Sequence, residues 1–232
     1  TELVTYQLHT NDWYVRTARR LLHERASTGS INSKAIASLR SLARNHADAS
    51  RRLRALWALH AIGELSNSVA SQMLRDENEH IRAWTIQLLT ETGSLPASFG
   101  QQFIKMAASD SSPVVRLYLA SAIQRVDANI GWSLSEALML RAEDVDDRYI
   151  PKMLWYGLAP LMETDPDRAI TMIRNSEFPS ISSYADWYSA KLQGSSLDRA
   201  IAELPTRDEP QALIEAIALG LNGQFGLSMP PS

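Results

Sequence analysis

The sequence predicts an all-α protein folded as a right-handed α-solenoid of about six helical hairpins. Three observations predict it. First, an Asp recurs six residues before an Arg, at Asp48 and Arg54, Asp76 and Arg82, and Asp110 and Arg116. The spacing continues with a Lys at Asp146 and Lys152, and with a Thr at Thr10 and Arg16. Second, the leading positions 10, 48, 76, 110 and 146 lie 38, 28, 34 and 36 residues apart. That is room for two helices and two turns, and too much for a heptad. Third, each Arg opens an apolar run at helical spacing: Ile81, Trp84, Leu88 and Leu89 in one copy, and Val115, Tyr118, Leu119, Ala122, Ile123 and Val126 in the next. One such hairpin cannot bury its apolar face alone, so stacked neighbours bury it jointly.

The elements follow in order. Residues 1–9 read as part of a preceding element. Thr10 or Asn11 caps a helix to about Ala26, and Ser27 to Ser30 form a turn. Helices follow over about 32–44 and 50–63, with Gly63 as the C-terminal stop. The next hairpin pairs 66–75 with 78–92, and Gly93 to Pro96 break the chain. Then 97–108 pairs with 112–126, with Pro113 in a first helical turn. Asp127 to Gly131 read as a turn before helices at 132–142 and 148–163. Pro151 and Pro160 predict a late start or a kink in the second of these. Beyond Thr164 the pattern weakens, with helices expected after Asp165, over 180–191, 195–204 and 208–221. No stretch reads as a strand. The array is thus one repeat domain over 1–221, with copies near 1–30, 31–63, 66–93, 96–127, 130–163, 165–192 and 195–221. The Gly/Pro-rich tail at 222–232 reads as a linker.

An Asp at the start of such a helix can accept its free N–H groups and suits the positive end of its dipole. The Arg in the first two turns can reach a carboxylate of its own or the next copy, giving a ladder along the stack. Exposed rungs of that ladder contribute about 0–1 kcal/mol each.

Composition bounds the chemistry. The chain has 45% hydrophobic and 21% charged residues, ordinary for a folded domain. No run approaches the roughly 18 apolar residues of a membrane span, and no signal peptide is visible. The start without Met reads as a processed or excised segment. The lack of cysteine excludes disulfides, iron–sulfur clusters, Cys-ligated zinc and covalent haem attachment in these residues. Net charge is −3, made of +4 in residues 1–82 and −7 in residues 83–232. Such polarity suits a module lying between a basic and an acidic neighbour.

No catalytic constellation emerges. The five histidines form no H-E-x-x-H; His60 and Glu64 share a helix face but need a further ligand to hold a metal. The run Glu143, Asp144, Asp146 and Asp147 lacks the Gly and terminal Glu of a calcium loop and reads as a solvated helix cap. There is no nucleophile elbow, phosphate loop or dinucleotide fingerprint. Arg40, Arg44, Arg51, Arg52 and Arg54 form a basic cluster, and the first four are a candidate interaction surface. A nucleic-acid footprint normally makes the domain basic, and a pI near 6.0 disfavours one. Five of the six tryptophans sit in or before the main helices; a stripe of them on the concave surface would be a peptide-binding platform, but they are expected to fill joints between copies and direct the indole N–H to a carbonyl.

The hairpin period, the Asp and the Arg resemble HEAT-type repeats of the armadillo superfamily. The stretches N-D-W-Y-V-R-T-A-R-R-L-L (11–22), R-L-R-A-L-W-A-L-H (52–60), I-R-A-W-T-I-Q-L-L (81–89), V-V-R-L-Y-L-A-S-A-I-Q-R (114–125) and W-Y-G-L-A-P-L (155–161) carry a further likeness. They resemble the repeat region of bacterial PVC-type haem-binding, or putative membrane-bound dehydrogenase, proteins. That resemblance implies an exported, periplasmic or extracytoplasmic parent, in which the helical segment is a spacer between a β-propeller and a c-type cytochrome module. It implies haem only in the neighbouring module and carries over no catalytic, cofactor or metal residue. The reading that results is a non-catalytic scaffold that binds a protein or the flanking domains of its own chain. A contribution to a shared active site of the parent dehydrogenase and nucleic-acid binding are the alternatives. The sequence leaves the oligomeric state open.

Overall fold

A computed structural model describes residues 2–207 and 210–222. The linker expected at 222–232, Asn222 apart, and the helix start expected at Asp208 lie outside the described residues. Within them are fourteen α-helices, joined in places by short 3-10 turns, and no strand. No helix among the described residues is long and apolar enough to cross a membrane. The chain divides into two compact units, Thr1–Thr92 and Gly93–Ser232.

The first unit holds α1 (Glu2–Thr5), α2 (Asp12–Ser27), α3 (Ser33–Asn45), α4 (Ala49–Ala61), α5 (Asn67–Met73) and α6 (Glu79–Thr90). Side-chain caps set most of these starts. Asn11 accepts from Trp13 N–H, Asn32 from Ala35, Asp48 from Ser50, Ser66 from Val69 and Asn78 from His80. Each fills a donor that the first turn leaves unpaired. Gly63 ends α4 at φ +74°, a left-handed turn that a Cβ would strain. Helices α2, α4 and α6 touch in succession; α3 packs on α4 and α5, and α5 on α6. Residues 2–8 pack against α2, α3 and α4 and bury Val4 and Gln7. The core is Leu22, Leu39, Leu56, Leu59, Val69, Met73 and Ile81, with the small residues Ala43, Ala55 and Ala58 between the helices.

The second unit holds α7 (Gly100–Ser109), α8 (Pro113–Ala122), α9 (Ala128–Met139), α10 (Ile150–Thr164), α11 (Pro166–Arg174), α12 (Pro179–Leu192), α13 (Gly194–Glu203) and α14 (Pro210–Leu221). Helices α8, α10, α12 and α14 touch in succession, as do α7 and α9; α11 packs on α10 and α12, and α13 on α12 and α14. Helix α9 begins four residues before the expected 132, because Asp127 accepts from Ile130 N–H and Gly131 joins the helix. Helix α10 starts late, with Pro151 in its first turn, and runs on through Pro160. Pro160 is exposed, as is Tyr156, whose carbonyl lacks the N–H donor that residue 160 would otherwise supply. Gly157 lets α10 approach the 3-10 turn after α8: a Cβ there would lie 2.6 Å from Ile123 Cβ.

Candidate functional site

The repeat is built from a side chain two residues ahead of each N-cap. His9 and His46 Nδ1 accept the backbone N–H of Asn11 and Asp48 at 2.9 and 3.0 Å. Asp76, Asp110 and Asp147 Oδ1 do the same for Asn78, Ser112 and Tyr149 at 2.9, 3.0 and 2.7 Å. In three copies the carbonyl of that same residue takes a guanidinium from six residues on. Arg52 donates to His46, Arg82 to Asp76 and Arg116 to Asp110, each at 2.8 Å. A guanidinium carries five donors in a rigid fork, so one edge can hold its own turn while the other reaches elsewhere. Arg52 Nη2 reaches Asp76 Oδ1 at 3.0 Å, 24 residues on. Arg116 grips Asp144 with both arms, Nε to Oδ2 at 2.5 Å and Nη2 to Oδ1 at 2.6 Å. Their side chains are 3% and 2% exposed. The Asp144 hydrogen bond raises the Arg116 pKa above its ordinary value.

The residues singled out in the sequence take several places. Asp76, Arg82, Asp110 and Arg116 belong to this device. Asp48 instead caps α4, and the Ser50 hydroxyl, then its backbone N–H, hold it below the usual carboxylate range. Arg54 donates to His9 O at 2.9 Å and to Asp12 at 3.2 Å, so the anchored arginine in that copy is Arg52. The signal was present in sequence: His46 and Arg52 keep the six-residue spacing. A search for Asp passes over it because an unprotonated imidazole nitrogen does a carboxylate's work. Asp146 and Lys152 are exposed, and their side chains make no hydrogen bond or ion pair among the described residues, while Asp147 accepts the N–H groups of Tyr149 and Ile150 at the start of α10. The acidic run divides further: Asp144 is buried against Arg116, and Glu143 meets Arg141 at 2.6 Å.

The basic cluster is largely spent inside the fold. Arg40 pairs with Glu64 at 2.6 Å, Arg51 donates to His9 O at 2.9 Å, and Arg52 is buried. Arg44 borders a shallow hollow with Ser71 and Arg75. His60 turns to Glu91, at 2.5 Å, rather than to Glu64. Among the described residues no three His, Asp or Glu side chains gather in a metal-holding group.

Several hollows among the described residues are large enough to receive another molecule's side chains, and two of them combine aromatic and charged walls. In the first unit one of about 640 Å³ lies along α2, α4 and α6, with Val15, Leu53, Trp57 and Trp84 as its apolar wall. The Trp57 and Trp84 rings meet edge to face at 4.9 Å, and the Trp57 indole N–H is buried with no acceptor among the described residues. Asp12, Arg16, Arg19 and Arg54 supply the charge. Arg16 and Arg54 both bind Asp12, at 2.7 and 3.2 Å. Arg19 lies over the Trp57 ring, 5.4 Å from its centroid, with no hydrogen bond or ion pair among the described residues, and burial lowers its pKa. In the second unit a cleft of about 530 Å³ is lined by Glu136, Met139, Leu140, Asp165, Arg168 and Met172. There Arg168 stacks on Trp132 at 4.6 Å, and Leu140 is 68% exposed. Of the remaining tryptophans, Trp155 is buried and Trp13 is 63% exposed, so the joint-filling role expected of them holds only for some.

No protein-family model matches the chain, and no curated protein matches it.

Proposed function

We propose that the chain is a non-catalytic helical-repeat scaffold, a right-handed α-solenoid of HEAT-like hairpins that binds a protein or holds flanking domains of its own chain in fixed geometry. The observation that carries this reading is the guanidinium bridge. Within the first unit Arg52 ties its own turn to Asp76, and within the second Arg116 ties its turn to Asp144. Each of these two links joins one hairpin to a later one, as a stack requires. Small-angle scattering of the 232-residue chain tests it. A solenoid gives a radius of gyration well above the ~17 Å of a compact chain of this length. A value near ~17 Å would overturn the solenoid.

The wider setting, a spacer within an exported haem-containing redox protein, is supported by the resemblance of the quoted stretches. In that setting haem belongs to the neighbouring module and the segment itself needs no cofactor. Intact mass and visible spectrum of the native protein, captured with an antibody to this segment, test it. A much larger polypeptide with a Soret band is expected, and a species of 25.8 kDa without a chromophore would sink it. Nucleic-acid binding is disfavoured because Arg40, Arg51, Arg52 and Arg54 already have internal partners.

A further inference from the structure

We propose that the cleft along α2, α4 and α6 is a docking site for an acidic, extended protein segment, with a carboxylate held by Arg19 and the neighbouring aliphatic side chain laid on Trp57, Trp84 and Leu53. The inference rests on the scaffold reading and names the class of partner.

The charge balance of the cleft points to a carboxylate. Three arginines face it, Arg16, Arg19 and Arg54, and one acid, Asp12. Asp12 is already shared between Arg16 and Arg54. Arg19 is left half-buried over an aromatic face, with no carboxylate of the described residues in hydrogen-bonding reach. A cation in that position has lost part of its hydration and gained only the Trp57 face and the nearby charge of Asp12, and an incoming carboxylate supplies two parallel hydrogen bonds. Residues 1–92 carry twelve Lys/Arg against nine Asp/Glu, a net of +3, so the field of the unit steers an acidic segment toward it.

The rest of the wall chooses protein over nucleic acid. A phosphate backbone needs several free cations in a track. Here Arg51 and Arg54 are bound to His9 O, Arg52 to Asp76, and Asp12 would repel a phosphate. One guanidinium without an ion pair among the described residues, beside an apolar aromatic wall, suits a single carboxylate with an aliphatic neighbour. Half-exposed Trp and Arg in one cleft are also the residue types that dominate protein interfaces.

The test uses the full chain and a dye-labelled peptide of alternating glutamate and leucine, followed by fluorescence anisotropy. Saturable binding that weakens with salt is expected, with no binding of the same peptide carrying lysine for glutamate. Arg19→Gln should weaken binding about tenfold, the scale of one lost charge-assisted pair. Arg20→Gln, which removes an exposed pair with Glu24 on the same helix, should leave it unchanged. Helical circular dichroism of both variants checks that each is folded. Absence of binding, equal binding of the lysine peptide, or indifference to Arg19→Gln would overturn the proposal, as would tighter binding of a single-stranded oligonucleotide through the same residues. Any of these with the expected scattering profile would remove the docking site and leave the scaffold standing.

Discussion

Arg116 and Asp144 show what a single pair contributes in this fold. Both are almost wholly buried, and the third Arg116 nitrogen, Nη1, donates to Asp110 O. Burying two charges is costly, and their attraction offsets that cost only while both are present. Asp144→Ala should therefore lower stability by about 3–5 kcal/mol in urea unfolding, because the guanidinium stays buried and unpaired. Replacing both, Arg116→Met with Asp144→Leu, should recover most of that loss. If the double variant is as unstable as the single one, the pair has a role beyond charge compensation. Tyr188 makes a second residue-scale case. Burial first, and then the Glu163 carboxylate that its hydroxyl donates to, raise its pKa from 10.0 to about 12. Between those values the native chain keeps a proton that the unfolded chain has released. The stabilisation is present below pH 10 and is lost as pH rises through about 12. Ultraviolet titration should show a late tyrosine among the seven, and Glu163→Gln should bring it forward.

At the scale of the element, helix starts are set twice over, by the cap and by the residue two before it. Asp76 and His46 do the same job with different chemistry, each accepting the cap's N–H and offering its carbonyl to an Arg six residues on. His46→Asp should then fold and melt like the parent at neutral pH. His46→Ala should cost about 0.5–2 kcal/mol, as losing a cap does. Equal stability of both variants would mean that the carbonyl alone carries the element. Past Thr164 the device changes. Arg174 meets Asp186 at 2.6 Å and Glu203 at 3.0 Å, and Arg207 meets Asp186 at 2.8 Å, tying α11, α12 and the end of α13 by a charge network instead. That is why the Asp–Arg spacing fades there while helices continue.

For the whole molecule the division falls after Thr92, beside the break read at Gly93 to Pro96. Glu91, Thr92, Gly93 and Ser94 are all exposed, and Gly93 has φ +72°. Exposed turn residues between compact units are where proteases act first. Limited digestion with a broad-specificity protease should yield an early fragment ending within 91–95, read by mass spectrometry. First cuts inside α4 or α10 would show that those helices open more readily than the turn. The charge asymmetry follows the same division, with +3 in residues 1–92 and −6 in residues 93–232.

The sequence by itself determined the helices and most of their ends. Apolar spacing, the capping side chains Asn11 and Asp48, and the stop at Gly63 act within a turn or two, so they are written locally. Asp76 and Asp110, expected as caps, instead sit two residues ahead of the caps Asn78 and Ser112. The sequence left open whether Arg52 or Arg54 is anchored beside His46, since His46–Arg52 and Asp48–Arg54 keep the same spacing, and it did not show that Asp144 rather than Asp146 is the buried acid. Those choices depend on partners 24 to 28 residues away, on where the next hairpin brings its turn. The cleft of Arg19, Trp57 and Trp84 was decided in the same way. Its residues come from three helices, and only their packing shows that Asp12 is spent on Arg16 and Arg54 while Arg19 lies over Trp57 without an ion pair among the described residues.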